Sequence, residues 1–143
     1  MENQNKEFKF YTPKRIIDKF NIKNKVAIVT GGAGLLGQMH AEAIAEMGGV
    51  PLLLDIDNEK GPAIAARISD QYKTTCSYYN CDITNENAIE KVKDDIIKSH
   101  NKIDILINNA AIDPKVKDNN AFESTRLEYF SIDQWNLEIS VGL

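Results

Sequence analysis

The sequence is poor in the residues that metal and redox chemistry draw on. Its 143 residues hold two cysteines and two histidines. Cys76 and Cys81 lie five positions apart on one expected strand, where odd spacing sends side chains to opposite faces. That excludes a local disulfide and a C-x-x-C redox motif, and leaves reduced structural thiols as the expectation. With His40 and His100 the only histidines, a Cys/His zinc site has little to work with, and both read as ordinary surface residues. Basic charge is scarce as well. Seventeen Lys and Arg against 21 Asp and Glu give a net charge of −4, which argues against nucleic acid as a partner. Long apolar runs are missing: nothing approaches the roughly 20 residues that span a bilayer. The opening MENQNKEFKF has no apolar segment of the secretory kind. These absences predict a cytoplasmic protein that engages neither membrane nor nucleic acid.

Glycine is also infrequent, at eight residues, yet four of them fall within the seven positions 31–37. They sit in VAIVTGGAGLLG, Val26 to Gly37. Val26 to Thr30 is an apolar, β-branched run of the kind buried on both faces of a parallel sheet. After the glycines, apolar residues resume at helical spacing. Gly32, Gly34 and Gly37 satisfy G-x-G-x-x-G, and Gly31, Gly34 and Gly37 satisfy G-x-x-G-x-x-G. In either register a strand, a glycine turn and a helix start form the context of a dinucleotide site. The main-chain N–H groups of the first helical turn, around Leu35 and Leu36, and the helix dipole favour phosphate there. A second apolar run, Val50 to Leu54, ends in Asp55, eighteen residues beyond Gly37. A carboxylate at that place accepts hydrogen bonds from ribose hydroxyls and repels a 2′-phosphate, and no Arg comes immediately after it. NAD is therefore the expected cofactor, with NADP disfavoured.

The remainder continues the alternation. Residues 1–24 form an N-terminal extension with a short helix from Thr12, whose apolar stripe is Ile16, Ile17 and Phe20. The helix after the glycine turn, Leu36 to Met47, is expected to turn Met39, Ala43, Ile44 and Met47 inward, and Gly48-Gly49 ends it. A helix from Asp57 or Asn58 to Tyr72 should bury Ile64, Ala65 and Ile68. A strand over 76–81 follows, then a helix from Asn85 to Ser99, capped by Thr84, with Ile89, Val92, Ile96 and Ile97 inward. The fourth strand is Ile103 to Asn108. Residues 112–130 read as a long loop, and Ser131 to Gln134 as a capping box opening a helix with Trp135, Ile139 and Leu143 inward. Strands alternating with helices predict an α/β fold with a parallel sheet and right-handed crossovers.

Together, TGGAGLLG at 30–37, Asp55, the pair Asp82-Ile83 and NNAA at 108–111 resemble the N-terminal half of a short-chain dehydrogenase/reductase. The likeness covers residues 25–143. It implies a Rossmann-like, doubly wound parallel sheet, incomplete at about four strands. It further implies hydride transfer between nicotinamide and an alcohol or carbonyl, with a sugar or sugar nucleotide as one substrate class. By the same resemblance Asp82 and Ile83 hold the adenine, Asn109, Ala110 and Ala111 border the cofactor, and the full-length form is a homo-oligomer.

Three features depart from the family pattern. The T-G-x-x-x-G-x-G spacing would put glycine at Leu35, whereas here it comes at Gly34. The position of the family's catalytic asparagine corresponds to Gly142, which has no side chain to serve a proton relay. The family's Ser and Tyr-x-x-x-Lys would lie beyond Leu143. Tyr72, Tyr78, Tyr79 and Tyr129 have no lysine four residues on, and Tyr11, followed by Arg15, precedes the first strand. No catalytic residue is therefore assigned. The expectation is a cofactor-binding fragment with an exposed edge at its fourth strand, and a small-molecule substrate only if a C-terminal half exists. The alternative is a non-catalytic NAD-binding or interaction module.

Overall fold

The computed structural model describes residues 20–112, 126, 128 and 130–142. The helix expected from Thr12 and most of the loop after Ile112 lie outside the described residues. Among the described residues four strands and four helices alternate. They are β1 (Val26–Thr30), α1 (Leu35–Glu46), β2 (Val50–Asp55), α2 (Lys60–Tyr72), β3 (Ser77–Asn80), α3 (Glu86–His100), β4 (Ile105–Ile107) and α4 (Ile132–Gly142). The strands form one parallel sheet in the order β3-β2-β1-β4. β1 and β2 are central, which is why both are apolar up to their last residues, Thr30 and Asp55, rather than alternating.

The period-2 geometry of a strand divides the core into two layers. Ala27 and Val29 of β1 point to the α1 side and pack with Ile44, while Leu53 of β2 joins Ala41, Ala45, Ile64, Ala65 and Ile68. Val26, Ile28, Leu52 and Leu54 point the other way, onto Val92 and Ile96 of α3. The sheet is thus covered on both faces, as the doubly wound reading requires. Leu52, Leu53, Ile68 and Ile96 are fully buried, each stabilising the fold by about 1.5–3 kcal/mol. Cys76 and Cys81 flank β3 and fall into opposite layers, both buried and reduced.

The inward stripe of α2 is as expected, but the three other helices correct the sequence reading. In α1 the buried residues are Gly37, Ala41, Ile44 and Ala45, whereas Met39, Ala43 and Met47 face out. Gly37 sets this rotation, because it must back onto the glycine turn, and positions four and seven residues later follow it inward. The methionines suggested bulk inside; the helix instead approaches the sheet closely through alanines. In α3, Val92 and Ile96 are buried but Ile89 and Ile97 are 41% and 43% exposed. Its N-cap is Asn85, whose side chain accepts from Ala88 N–H, rather than Thr84. Thr84 is instead bonded to Asp82. α4 has no buried residue among those described, so Trp135 and Ile139 are not inward as expected, and Leu143 lies outside the described residues. Trp135 packs edge-on against Phe130, 6.3 Å between ring centres.

Among the described residues β4 pairs only with β1, and Leu106 is 58% exposed. A cavity of about 470 Å³ lies on the α3 side, bordered by Ile28, Ile83, Ile96, Leu106 and Ala110 and, from α4, Val141. No described helix is long and apolar enough to cross a membrane.

Candidate cofactor site

The glycine turn lies at the C-terminal end of β1, at the point where the chain order reverses between β1 and β4. That is the place where open α/β sheets form a crevice. Gly31 takes φ +64°, and a Cβ on it would stand 2.9 Å from Ala110 Cα. Only glycine meets both demands, so the first turn residue is Gly31 rather than Gly32. Gly32 is buried against Leu53. At Gly37 a Cβ would lie 2.1 Å from the Gly31 carbonyl oxygen, so the α1 backbone rests directly on the turn. Gly34 differs: it is exposed, and a Cβ there would meet only Gly31 O at 3.2 Å.

Gly34 is also the N-cap of α1 and brings no side-chain cap. The first i→i−4 bond runs from Gln38 N–H to Gly34 C=O at 3.0 Å. The N–H groups of Leu35, Leu36 and Gly37 precede it and have no helical acceptor. Both leucine side chains are outside, 73% and 61% exposed. Bare backbone at Gly34 and N–H groups without a helical acceptor thus lie side by side.

Asp55 binds this turn directly. Its Oδ2 accepts Ala33 N–H at 2.9 Å, and its Oδ1 accepts Asp57 N–H at 3.0 Å. Ala33 is held from the other side too, its carbonyl accepting from Gln38 Nε2 at 3.1 Å, while Gln38 Oε1 accepts from Arg67 Nη2 at 3.3 Å. The acidic residue and the glycine turn therefore form one bonded unit. Nothing in a linear pattern couples Asp55 to Ala33, so the sequence placed the two at one site without showing their bond.

The second half of the crevice is a polar clasp between β1 and β4. Thr30, the buried polar residue of the core, accepts at Oγ1 from the N–H groups of Asn109 and Ala110, each at 3.0 Å. Asn109 Nδ2 donates to the carbonyls of Thr30 at 2.9 Å and Gly31 at 3.3 Å. Asn109 and Ala110 thus border the glycine turn, and Ala111 follows, exposed. The role of Thr30 escaped the sequence reading; its one signal is a hydroxyl ending an otherwise apolar buried strand.

Asp82 and Ile83 follow β3 on the α3 side of the crevice. Asp82 Oδ1 accepts from Thr84 Oγ1 at 2.7 Å and from Thr84 N–H at 2.9 Å, and these bonds hold its carboxyl below the usual range. Ile83 borders the cavity together with Ala110 and Gly142. A Cβ at Gly142 would meet nothing within 4 Å. At the opposite end of the sheet Asp104 staples β1 to β4. It accepts from Lys25 Nζ at 2.7 Å, Lys102 Nζ at 2.9 Å and Val26 N–H at 2.9 Å. Lys25 foremost, with Val26 N–H and Lys102, drives its carboxyl far below the ordinary value.

A parallel doubly wound sheet with a glycine-lined crevice at its switch point, and an acid bonded to that crevice, defines a dinucleotide-binding α/β protein. The sequence profile of the short chain dehydrogenase family matches residues 25–137. The chain therefore belongs to that family, whose members are NAD(P)-binding oxidoreductases. It is 29% identical over 116 residues to secoisolariciresinol dehydrogenase of Forsythia intermedia, covering 78% of this chain and 40% of that protein. It is 33% identical over 100 residues to a sorbose reductase of Candida albicans, covering 70% and 35%. Among solved structures, the NADPH-dependent 3-quinuclidinone reductase of Rhodotorula rubra superposes with a TM-score of 0.74 at 27% identity, over 95% of this chain and 49% of that one. NAD⁺-bound xylitol dehydrogenase gives 0.73 at 26%, over 84% and 43%. The chain spans 35–40% of the length of the two curated relatives named.

Proposed function

We propose that this chain forms the adenosine and pyrophosphate half of the cofactor site of an NAD-dependent short-chain oxidoreductase. The observation that carries this is the bond from Ala33 N–H to Asp55, which joins the ribose acceptor to the phosphate cradle. The N–H groups of Leu35, Leu36 and Gly37 would hold the pyrophosphate, and Asp55 the ribose hydroxyls. Asp82 and Ile83 would line the adenine, while Asn109, Ala110 and Ala111 would form the wall toward the nicotinamide. When bound, NAD supplies hydride transfer to or from a carbon bearing an alcohol or carbonyl. Sugars or polyols are the proposed substrate class, supported by the names of the sorbose reductase and xylitol dehydrogenase it resembles. The general acid/base, a Tyr-x-x-x-Lys pair in this family, is not among these 143 residues. Gly142 at the asparagine position supports a second reading, a non-catalytic NAD-binding module.

Calorimetric titration of the purified chain tests the binding claim. NAD is expected to bind at least about tenfold more tightly than NADP, and Asp55→Asn to narrow that gap. Equal affinity for both would overturn the NAD assignment. The chain alone is expected to oxidise no NADH with any carbonyl; turnover that Gly34→Ala abolishes would refute this.

A further inference from the structure

Asp55 is the last residue of β2, and the chain leaves the sheet immediately after it. Ile56 is 70% exposed and contributes no packing, and α2 begins at Lys60 without a side-chain cap from Glu59. The Asp55 carboxylate is held by the N–H groups of Ala33 and Asp57, and Gly61 N–H bonds the Asp57 carbonyl at 3.0 Å, so its direction also follows from what holds the main chain at 55 and 56. The structure supplies a brace from β3. The Tyr78 hydroxyl stands 2.9 Å from the Asp55 carbonyl oxygen and 3.1 Å from Asn58 Oδ1. Asn80 Nδ2 lies 3.2 Å from the Ile56 carbonyl, 3.3 Å from that of Asp55 and 3.1 Å from the Tyr78 hydroxyl. The ladder bond from Cys81 N–H to the Asp55 carbonyl, at 3.1 Å, completes the set. Gly61 leaves room for this: a Cβ there would fall 2.1 Å from Tyr78 Cε2.

The Tyr78 ring packs on the core and the backbone of 77–80 pairs with β2, but the Tyr78 hydroxyl and the Asn80 amide add bonds beyond that packing and that ladder. They converge on the carbonyls of the residue whose side chain reaches the glycine turn, and of the residue after it. Resting on the NAD reading given above, we propose that Tyr78 and Asn80 are positioning residues for adenosine ribose recognition, acting through Asp55. Phenylalanine at 78 would keep the ring against Gly61 but remove one of the three donors to the Asp55 carbonyl and the contact with Asn58. Alanine at 80 would release Ile56 and the phenol together. Either change lets the main chain at 55 and 56 turn, so that the carboxylate no longer meets the ribose 2′-hydroxyl.

The test compares ADP with 2′-deoxy-ADP, by calorimetry, on the full chain and on Tyr78→Phe, Asn80→Ala and Asp55→Ala, with a thermal melt of each. The unsubstituted chain is expected to prefer ADP by about tenfold or more, the scale of one hydrogen bond to a charged group. Asp55→Ala should abolish the preference. Tyr78→Phe and Asn80→Ala should reduce it to about threefold or less while melting close to the unsubstituted chain. A preference undiminished in both variants overturns the proposal. So does a loss of melting temperature with both nucleotides weakened equally, since that marks a structural role only. A preference that survives Asp55→Ala overturns the route through Asp55. If the unsubstituted chain binds neither nucleotide, the dinucleotide reading itself fails and the proposal falls with it.

Discussion

Substituting alanine at Gly37 and at Gly34 separates the two duties of the glycine turn. At Gly37 the new Cβ would sit 2.1 Å from the Gly31 carbonyl oxygen, 2.8 Å from Gly32 Cα and 2.9 Å from the Gly31 carbonyl carbon. All three neighbours are backbone, so no side-chain rotation relieves the overlap, and α1 must lift by more than 1 Å to regain ordinary contact. Overpacking of this kind costs about 1–3 kcal/mol. The better helix propensity of alanine returns about 0.5–1 kcal/mol, leaving a net loss of roughly 1–2 kcal/mol. For a domain of this size that lowers the melting temperature by about 3–8 °C. At Gly34 the sole neighbour within 4 Å is Gly31 O at 3.2 Å, and φ is −74°, which alanine adopts freely. Gly34→Ala should therefore melt within about 2 °C of the unsubstituted chain. Its methyl group would instead stand where the pyrophosphate approaches, and NAD affinity should fall at least tenfold. Thermal melts and calorimetric titration of both variants decide the matter. A Gly37→Ala protein as stable as the original, or a Gly34→Ala protein that binds NAD unchanged, would refute the reasoning.

Three further outcomes follow from the same contacts. Thr30→Val removes the acceptor shared by Asn109 and Ala110 N–H, and should cost about 1–3 kcal/mol in urea unfolding; an unchanged midpoint would show the clasp to be idle. Asp104 has a folded pKa below its ordinary 3.8, so the folded state holds fewer protons there than the unfolded state. Its contribution is complete above about pH 4 and is lost on further acidification. The melting temperature gap between the unsubstituted chain and Asp104→Asn should narrow from pH 6 to pH 3, and a constant gap would count against the staple. Burial pushes the Cys76 thiol up to about 12, so iodoacetamide at pH 8 should modify it slowly in the native chain and rapidly in urea. Because the neutral thiol is the favoured form, this group also withdraws stability as pH rises from about 9 toward 12.

The sheet and its glycine turn were legible in the sequence because each rests on a local pattern. Val26 to Thr30 had to be a buried strand, and four glycines in seven positions had to be a turn. Helix rotation was less legible. The inward face of α1 is decided by Gly37 touching Gly31, a contact between two backbones that hydrophobic spacing does not encode. Met39 and Met47 were consequently placed inside, although they stand outside. The glycines and Asp55 are named by the motif, and Asp82, Ile83, Asn109, Ala110 and Ala111 through a resemblance, but neither shows the bonds that organise them. Thr30 reaches Asn109 across 79 positions, and Tyr78 reaches Asp55 across 23. Such pairs arise only once the sheet has set its register.

The clasp at the end of β1 also bears on the order in which the chain assembles. β1 meets β2 through pairs 24 residues apart, and β2 meets β3 through pairs 25 apart, whereas Thr30 and Asn109 are 79 apart. Closing the longer loop costs about 1 kcal/mol more in chain entropy. During synthesis the first three strands leave the ribosome well before Asn109 does, and each can zip onto its predecessor as it emerges. The wall of the crevice formed by Asn109 and Ala110 is then added to a sheet already laid down. The glycine turn and its bond to Asp55 would exist on the nascent chain before the facing wall of Asn109 and Ala110 has been made.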